Sequence, residues 1–146
     1  MNNKALFSSA RDDWGTPQYI FDELNEEFEF TLDPCASESN HKCEKYFTKE
    51  QDGLAQSWEN HVVFCNPPYG RKIGLWVKKA YEESRFNNAV VVLLIPARTD
   101  TKWFHEYIYG KTEVRFYEGR IKFVGAEHNA PFPSMVVVFM RWSHGE

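Results

Sequence analysis

The unbroken apolar run Ala89-Val90-Val91-Val92-Leu93-Leu94-Ile95 constrains this chain more than any other stretch. It has no polar face, so it reads as a strand covered on both sides, the kind found in the middle of a parallel sheet. Pro96 ends it, because proline brings no N–H to a ladder. The run is far shorter than the ~20 residues a membrane helix needs. A second apolar run, Val62-Val63-Phe64-Cys65, also leads into prolines, Pro67 and Pro68. Between the two, Trp76, Val77, Ala80 and Tyr81 mark one face of a helix near 73–86, broken by Asn87-Asn88. Strand, helix, strand in succession predicts an α/β fold with a parallel-rich sheet.

The flanking segments extend that pattern. Thr16-Pro17 reads as an N-cap followed by proline in the first helical position, with a helical stripe of Ile20, Phe21, Leu24 and Phe28 behind it. Phe28, Phe30 and Leu32 alternate, which predicts a strand ending at Asp33-Pro34. Residues 37–61 are polar, with a short strand near Tyr46-Phe47. Trp103, Phe104, Tyr107 and Ile108 predict another helix, stopped by Gly110. Strands near 114–117 and 134–140 close the pattern. Ligands in such sheets bind beyond the carboxyl ends of the strands. Asp33, Asn66 and the Pro96-Ala97-Arg98 segment each follow such an end and point to one crevice.

A length of 146 residues suits one domain; residues 1–10 read as a flexible tail and 11–146 as the domain. The polar start Met1-Asn2-Asn3-Lys4 has no apolar signal core behind it, so a cytoplasmic protein is expected. Cys35, Cys43 and Cys65 are an odd set without a C-x-x-C pair, which suits a reducing compartment. Cys35, His41 and Cys43 raise the question of zinc, but a fourth ligand is not evident, and no metal is expected. The net charge of −4 argues against a polyanionic partner until its distribution is considered. Residues 1–60 carry 5 Lys/Arg against 13 Asp/Glu, and residues 61–146 carry 12 against 8. The basic half begins at the second apolar run.

Asn66-Pro67-Pro68-Tyr69 carries the chemistry. The prolines stiffen the turn before any ligand arrives, and Pro67 biases Asn66 toward extended backbone. Hydrogen bonds from an aromatic NH₂ to the Asn66 side-chain oxygen and the Pro67 carbonyl would favour a pyramidal nitrogen, with its lone pair directed at an electrophile. Tyr69 would stack on the ring, worth roughly 1–3 kcal/mol per base. A Pro-Pro pair that merely ends a strand is the ordinary alternative.

The turn fits the D/N/S-P-P-Y/F/W motif of S-adenosylmethionine-dependent amino-methyltransferases. The chain as a whole resembles the phage-type, Dam-like DNA N6-adenine methyltransferases. The resemblance rests on an ordered series: Trp14-Gly15-Thr16-Pro17, Phe30-Thr31-Leu32-Asp33-Pro34-Cys35-Ala36, Asp52-Gly53-Leu54, Asn66 to Gly70, Gly119-Arg120-Ile121-Lys122-Phe123 and Pro131-Phe132-Pro133-Ser134. It implies a Rossmann-like methyltransferase fold, mostly parallel with a reversed last strand, minimal and without a separate target-recognition domain. It implies S-adenosyl-L-methionine as cofactor, with Trp14, Thr16, Pro17, Asp33, Pro34, Cys35 and Asp52 binding it, and Asn66, Pro67, Pro68 and Tyr69 as the catalytic set. Asp33 would contact the methionine end, and Asp52 would offer a carboxylate to the ribose or adenine end.

Double-stranded DNA is the implied partner, with Arg71, Lys72, Arg98, Lys102, Arg120 and Lys122 on its side. The target base would have to leave the duplex stack. Phe132 reads either as part of a loop over the site or as core. A homodimer and the cytoplasm of a phage host are compatible with the resemblance. One departure stands out: Asp33-Pro34-Cys35-Ala36-Ser37-Glu38 replaces the glycine-rich turn of the wider superfamily, as it does in the phage-type subgroup. Protein glutamine or RNA amino-methylation, and a non-catalytic cofactor- or DNA-binding module, are the competing functions.

Overall fold

The computed structural model describes residues 14–141; the expected tail at 1–10 lies outside them. The elements in chain order are α1 (Gln18–Phe28), β1 (Asp33–Ala36), β2 (Tyr46–Thr48), a 3-10 turn (Gly53–Ala55), β3 (Val62–Cys65), α2 (Ile73–Phe86), β4 (Val90–Pro96), a π-helical turn (Phe104–Ile108), β5 (Glu113–Phe116) and β6 (Ser134–Phe139).

The apolar run is β4, and it lies inside a four-stranded sheet of order β3-β4-β6-β5. Val91 to Ile95 are wholly buried, and so is every residue of β6, so both faces of these strands are covered. β3 pairs with β4 in parallel, in the register Val63↔Val91 and Cys65↔Leu93. β6 runs antiparallel to both β4 and β5. The four-stranded sheet is therefore mixed, with one parallel and two antiparallel pairings. The reversed strand is nonetheless the last one, set between β4 and β5, which run in the same direction.

On its other side β3 meets the approach to β1. Leu32 bridges Val63 in parallel, Thr31 N donates to Val62 O at 2.7 Å, and Phe64 N donates to Leu32 O at 3.0 Å. β1 in turn pairs in parallel with β2. The carboxyl ends of β1, β3 and β4 are thereby brought to one edge of the fold.

Three local expectations change. The residue before α1 in the N-cap position is Pro17, with no side-chain cap; the Thr16 hydroxyl is engaged elsewhere. The first strand begins at Asp33 and does not run through Phe28. Glu29 adopts a left-handed conformation (φ 57°) and closes the helix onto Asn25 O, while Asn25 Oδ1 accepts from Phe30 N at 2.8 Å. Phe28 ends the helix, and its ring stacks on Phe30 at 5.7 Å, so the phenylalanine alternation records a helix cap. The third change is the segment at Phe104–Ile108, a single π-helical turn instead of a longer helix, capped where Tyr109 N reaches Phe104 O at 2.8 Å.

α1 buries Ile20, Phe21 and Leu24, and the Phe21 ring meets Phe64 of β3 edge-on at 5.3 Å. α2 buries the expected Trp76, Val77 and Ala80, and also a charge, Glu83. Its carboxylate accepts from Trp58 N at 2.7 Å, Asn87 Nδ2 at 2.9 Å and Lys79 Nζ at 3.1 Å. A buried charge is tolerated when satisfied this fully. Here it ties α2 to the segment that carries Asp52.

Candidate active site

Asn66 follows β3 directly, where the ladder stops because Pro67 and Pro68 carry no N–H. Its Nδ2 donates to Thr16 Oγ1 at 2.9 Å and to the Trp14 carbonyl. A carbonyl can only accept, so the end of the carboxamide facing Trp14 must be the NH₂. That leaves Oδ1 inward, buried and without a partner. An unsatisfied buried acceptor costs about 1–3 kcal/mol, and this oxygen is able to take a hydrogen bond from a donor. Pro67 is buried and Pro68 exposed.

Tyr69 is anchored differently. Its hydroxyl donates to Leu94 O of β4 at 2.9 Å, and burial pushes its phenol well above the ordinary value, so it stays a neutral donor. The ring sits among three others. It is nearly parallel to Trp14, with centroids 6.5 Å apart and planes at 16°. Phe132 stands edge-on to both, at 5.2 Å from Trp14 and 5.6 Å from Tyr69. Phe123 does the same, at 5.5 Å and 6.2 Å. Phe132, read from sequence as either loop or core, is both: a buried ring on the segment that leads into β6. Sequence reasoning did not single out Phe123. It ends the quoted Gly119–Phe123 stretch, and its placement between charged Lys122 and exposed Val124 was the available signal.

The cofactor candidates gather beside this turn. Asp33 is buried, its Oδ1 accepting from Cys35 N at 3.2 Å and its Oδ2 from Lys42 N at 2.9 Å. Burial raises its pKa above the usual carboxylate range, against the lowering effect of those two amides. Its structural task here is to staple the loop after β1, and each oxygen retains a lone pair. Pro34 is buried and Cys35 half-buried. Burial holds the Cys65 thiol well above the ordinary value, and the nearby Cys35 and Asp33 raise it further.

Asp52 is brought to Pro34 by its neighbour. A Cβ on Gly53 would lie 2.2 Å from Pro34 O, so only glycine lets the two backbones cross, and Trp58 Nε1 fixes the crossing by donating to Gly53 O at 3.0 Å. The Asp52 side chain is exposed and accepts from Leu54 N at 3.2 Å. Trp14 and Thr16 are buried against Asn66 and Tyr69; Pro17 starts α1. His41, considered as a zinc ligand, stacks on Tyr46 at 3.8 Å and hydrogen-bonds through Nδ1 to Cys43 O.

All six candidate DNA-side cations are exposed. Arg71 and Lys72 follow Tyr69 in the chain. Arg120 and Lys122 flank Ile121 beside Phe123. Arg98 follows Ala97, whose N–H donates to Pro133 O at 2.9 Å next to Phe132. Lys102 precedes Trp103, whose ring lies where a Cβ on Gly74 of α2 would be 3.3 Å away. Each is thus one or two residues from a group that borders the aromatic cluster or the start of α2.

A family model for DNA N-6-adenine-methyltransferase (Dam) matches residues 3–144. The chain belongs to that family. Among relatives of this Dam-family chain, the DNA N-6-adenine-methyltransferase of Haemophilus phage HP1 (strain HP1c1) is 32% identical over 139 residues, covering 90% of this chain and 80% of that protein. The DNA N-6-adenine-methyltransferase of Escherichia phage T1 is 38% identical over 112 residues, covering 75% of this chain and 46% of that protein. No helix among the described residues of the Dam-family chain is long and apolar enough to cross a membrane.

Proposed function

We propose that this chain transfers a methyl group from S-adenosyl-L-methionine to the N6 amine of adenine in DNA, and that it works in a phage host's cytoplasm. The single observation that carries the reading is the orphaned, buried Oδ1 of Asn66 beside the Tyr69 ring in a Dam-family chain. An exocyclic amine conjugated to a purine is a weak nucleophile because its lone pair is delocalised. Accepting a hydrogen bond at Asn66 Oδ1 and another at the Pro67 carbonyl draws that nitrogen toward a pyramidal form and fixes the direction of its lone pair.

The residues that open β1 fit the proposed cofactor. Asp33 and Cys35 lie near Cys65, Cys35 lies near Tyr69, and the Gly53 crossing sets Asp52 next to a backbone that meets Pro34. Carboxylates and backbone acceptors of this kind suit a cationic amino-acid tail and a ribose diol, with Trp14 and Thr16 bordering them. When bound, S-adenosylmethionine supplies a methyl carbon already activated by its sulfonium. The reversed last strand between β4 and β5 supports the Rossmann-like reading of the sheet.

Arg71, Lys72, Arg98, Lys102, Arg120 and Lys122 would hold phosphates around the opening. The aromatic cluster is closed as it stands, since Phe132 stands edge-on to both Trp14 and Tyr69. Entry of a base taken from the stack therefore requires Phe132 to shift. The test is transfer of labelled methyl to DNA, RNA and protein side by side. Label on DNA adenine, released as N6-methyladenine, is the expected outcome; label confined to RNA or protein overturns the reading.

A further inference from the structure

We propose that Thr16 is a positioning residue for methyl transfer: with the Trp14 carbonyl it locks the Asn66 carboxamide so that Oδ1, and never Nδ2, faces the target amine. The inference rests on the function proposed above and goes beyond it, because the family resemblance assigns Thr16 to the cofactor.

A carboxamide has two nearly isosteric orientations. The wrong one here would set an NH₂ against the amine's own hydrogens and remove the acceptor. It would also point Oδ1 at the Trp14 carbonyl, oxygen against oxygen. The Trp14 carbonyl therefore decides which end faces inward. Thr16 Oγ1, 2.9 Å from Nδ2, is the second anchor and fixes rotation of the amide plane.

Neither anchor is free to drift. Thr16 is 5% exposed and Trp14 7%. Between them, Gly15 O accepts from Val124 N at 2.9 Å, and a Cβ on Gly15 would come within 3.1 Å of Val124 Cβ. The segment is thus pinned to the loop that carries Phe123, and the amide inherits its rigidity.

The experiment compares Thr16→Val, Thr16→Ala and Thr16→Ser in the full chain, reading kcat, KM for DNA, cofactor affinity by titration and Tm. Loss of the hydroxyl in Thr16→Val lowers kcat by about 10²-fold, the scale of a misplaced reacting group. KM for DNA and cofactor affinity change by less than roughly threefold, since the interaction acts on the chemical step. Thr16→Ser recovers most of the rate. In an Asn66→Ala background, Thr16→Val has no further effect on single-turnover rate, because the group it positions is gone.

Wild-type kcat in Thr16→Val, or effects that multiply in the double variant, overturns the proposal. So does a weakened cofactor affinity that accounts for the whole loss, which returns Thr16 to the cofactor. Thr16→Ala carries the same comparison with Thr16→Ser if Thr16→Val does not fold. Wild-type protein that transfers no methyl to DNA overturns the function and this inference together, an outcome distinct from a silent Thr16.

Discussion

Asp33 and Asn66 stand at neighbouring strands, joined through the Leu32–Val63 bridge, and their side chains are committed in opposite ways. Both oxygens of Asp33 take backbone N–H groups, so the carboxylate organises its own loop. Asn66 has only its donor end engaged, and its acceptor is left open. Two side chains of nearly the same shape are thus engaged at both oxygens in one case and at the donor end alone in the other. The difference comes from what lies opposite: the backbone amides of Cys35 and Lys42 at Asp33, a pinned carbonyl and hydroxyl at Asn66.

Asn66→Ala breaks this comparison most severely. Turnover on DNA falls by about 10²–10³-fold or more, the scale of removing one preorganised hydrogen-bonding group from a reacting centre. Cofactor titration and Tm stay close to wild type. Asp33→Ala does the reverse in kind: two amides lose their acceptor, and stability falls by about 2–4 kcal/mol, seen as a lower midpoint in urea. A stable Asp33→Ala would mean the staple contributes little.

The cations sharpen the contrast. Arg115 is held by Glu27 and Glu113 at 2.7 Å, which raises its pKa, whereas the guanidinium groups of Arg98 and Arg120 have no partner among the described residues. Arg98→Ala and Arg120→Ala each lower DNA affinity and reduce the slope of log affinity against log salt by about 1. Arg115→Ala leaves that slope unchanged. Equal slopes in all three variants would remove the DNA face from this side of the molecule.

The smallest effect concerns pH. Burial raises the Asp33 pKa, so the folded protein binds that proton more tightly than the unfolded chain does. Its contribution to stability is complete below the unfolded carboxylate pKa and is lost as pH rises through the raised folded value. Asp33→Asn flattens Tm against pH in that window; an unchanged profile would assign the dependence to another group.

Much of this was legible in the chain. Unbroken apolar runs closed by prolines predict β3 and β4, and a stripe at helical spacing predicts α2, because burial on both faces or on one stripe leaves a periodic mark. The Asn66 turn was legible because two prolines must end a ladder. What escaped was long-range. The Thr16–Asn66 bond spans fifty positions, and local rules assign Thr16 to a cap it does not make. Glu29 in a left-handed conformation runs against its residue type, so the helix end was read as a strand. The Gly53 crossing was not legible locally because the reason for glycine is Pro34, on another element. Hydrogen bonding of β6 to β4 instead of β3's direction of growth left no trace in composition.

β6 occupies an interior place in the sheet although it is the last strand among the described residues. Until residues 134–139 leave the ribosome, β4 and β5 have no common neighbour and the apolar faces around Leu93 and Ile95 remain wet. Pairing of the sheet must therefore wait until residues 134–139 have been made, and nascent chains stalled short of β6 are exposed to chaperones and proteases.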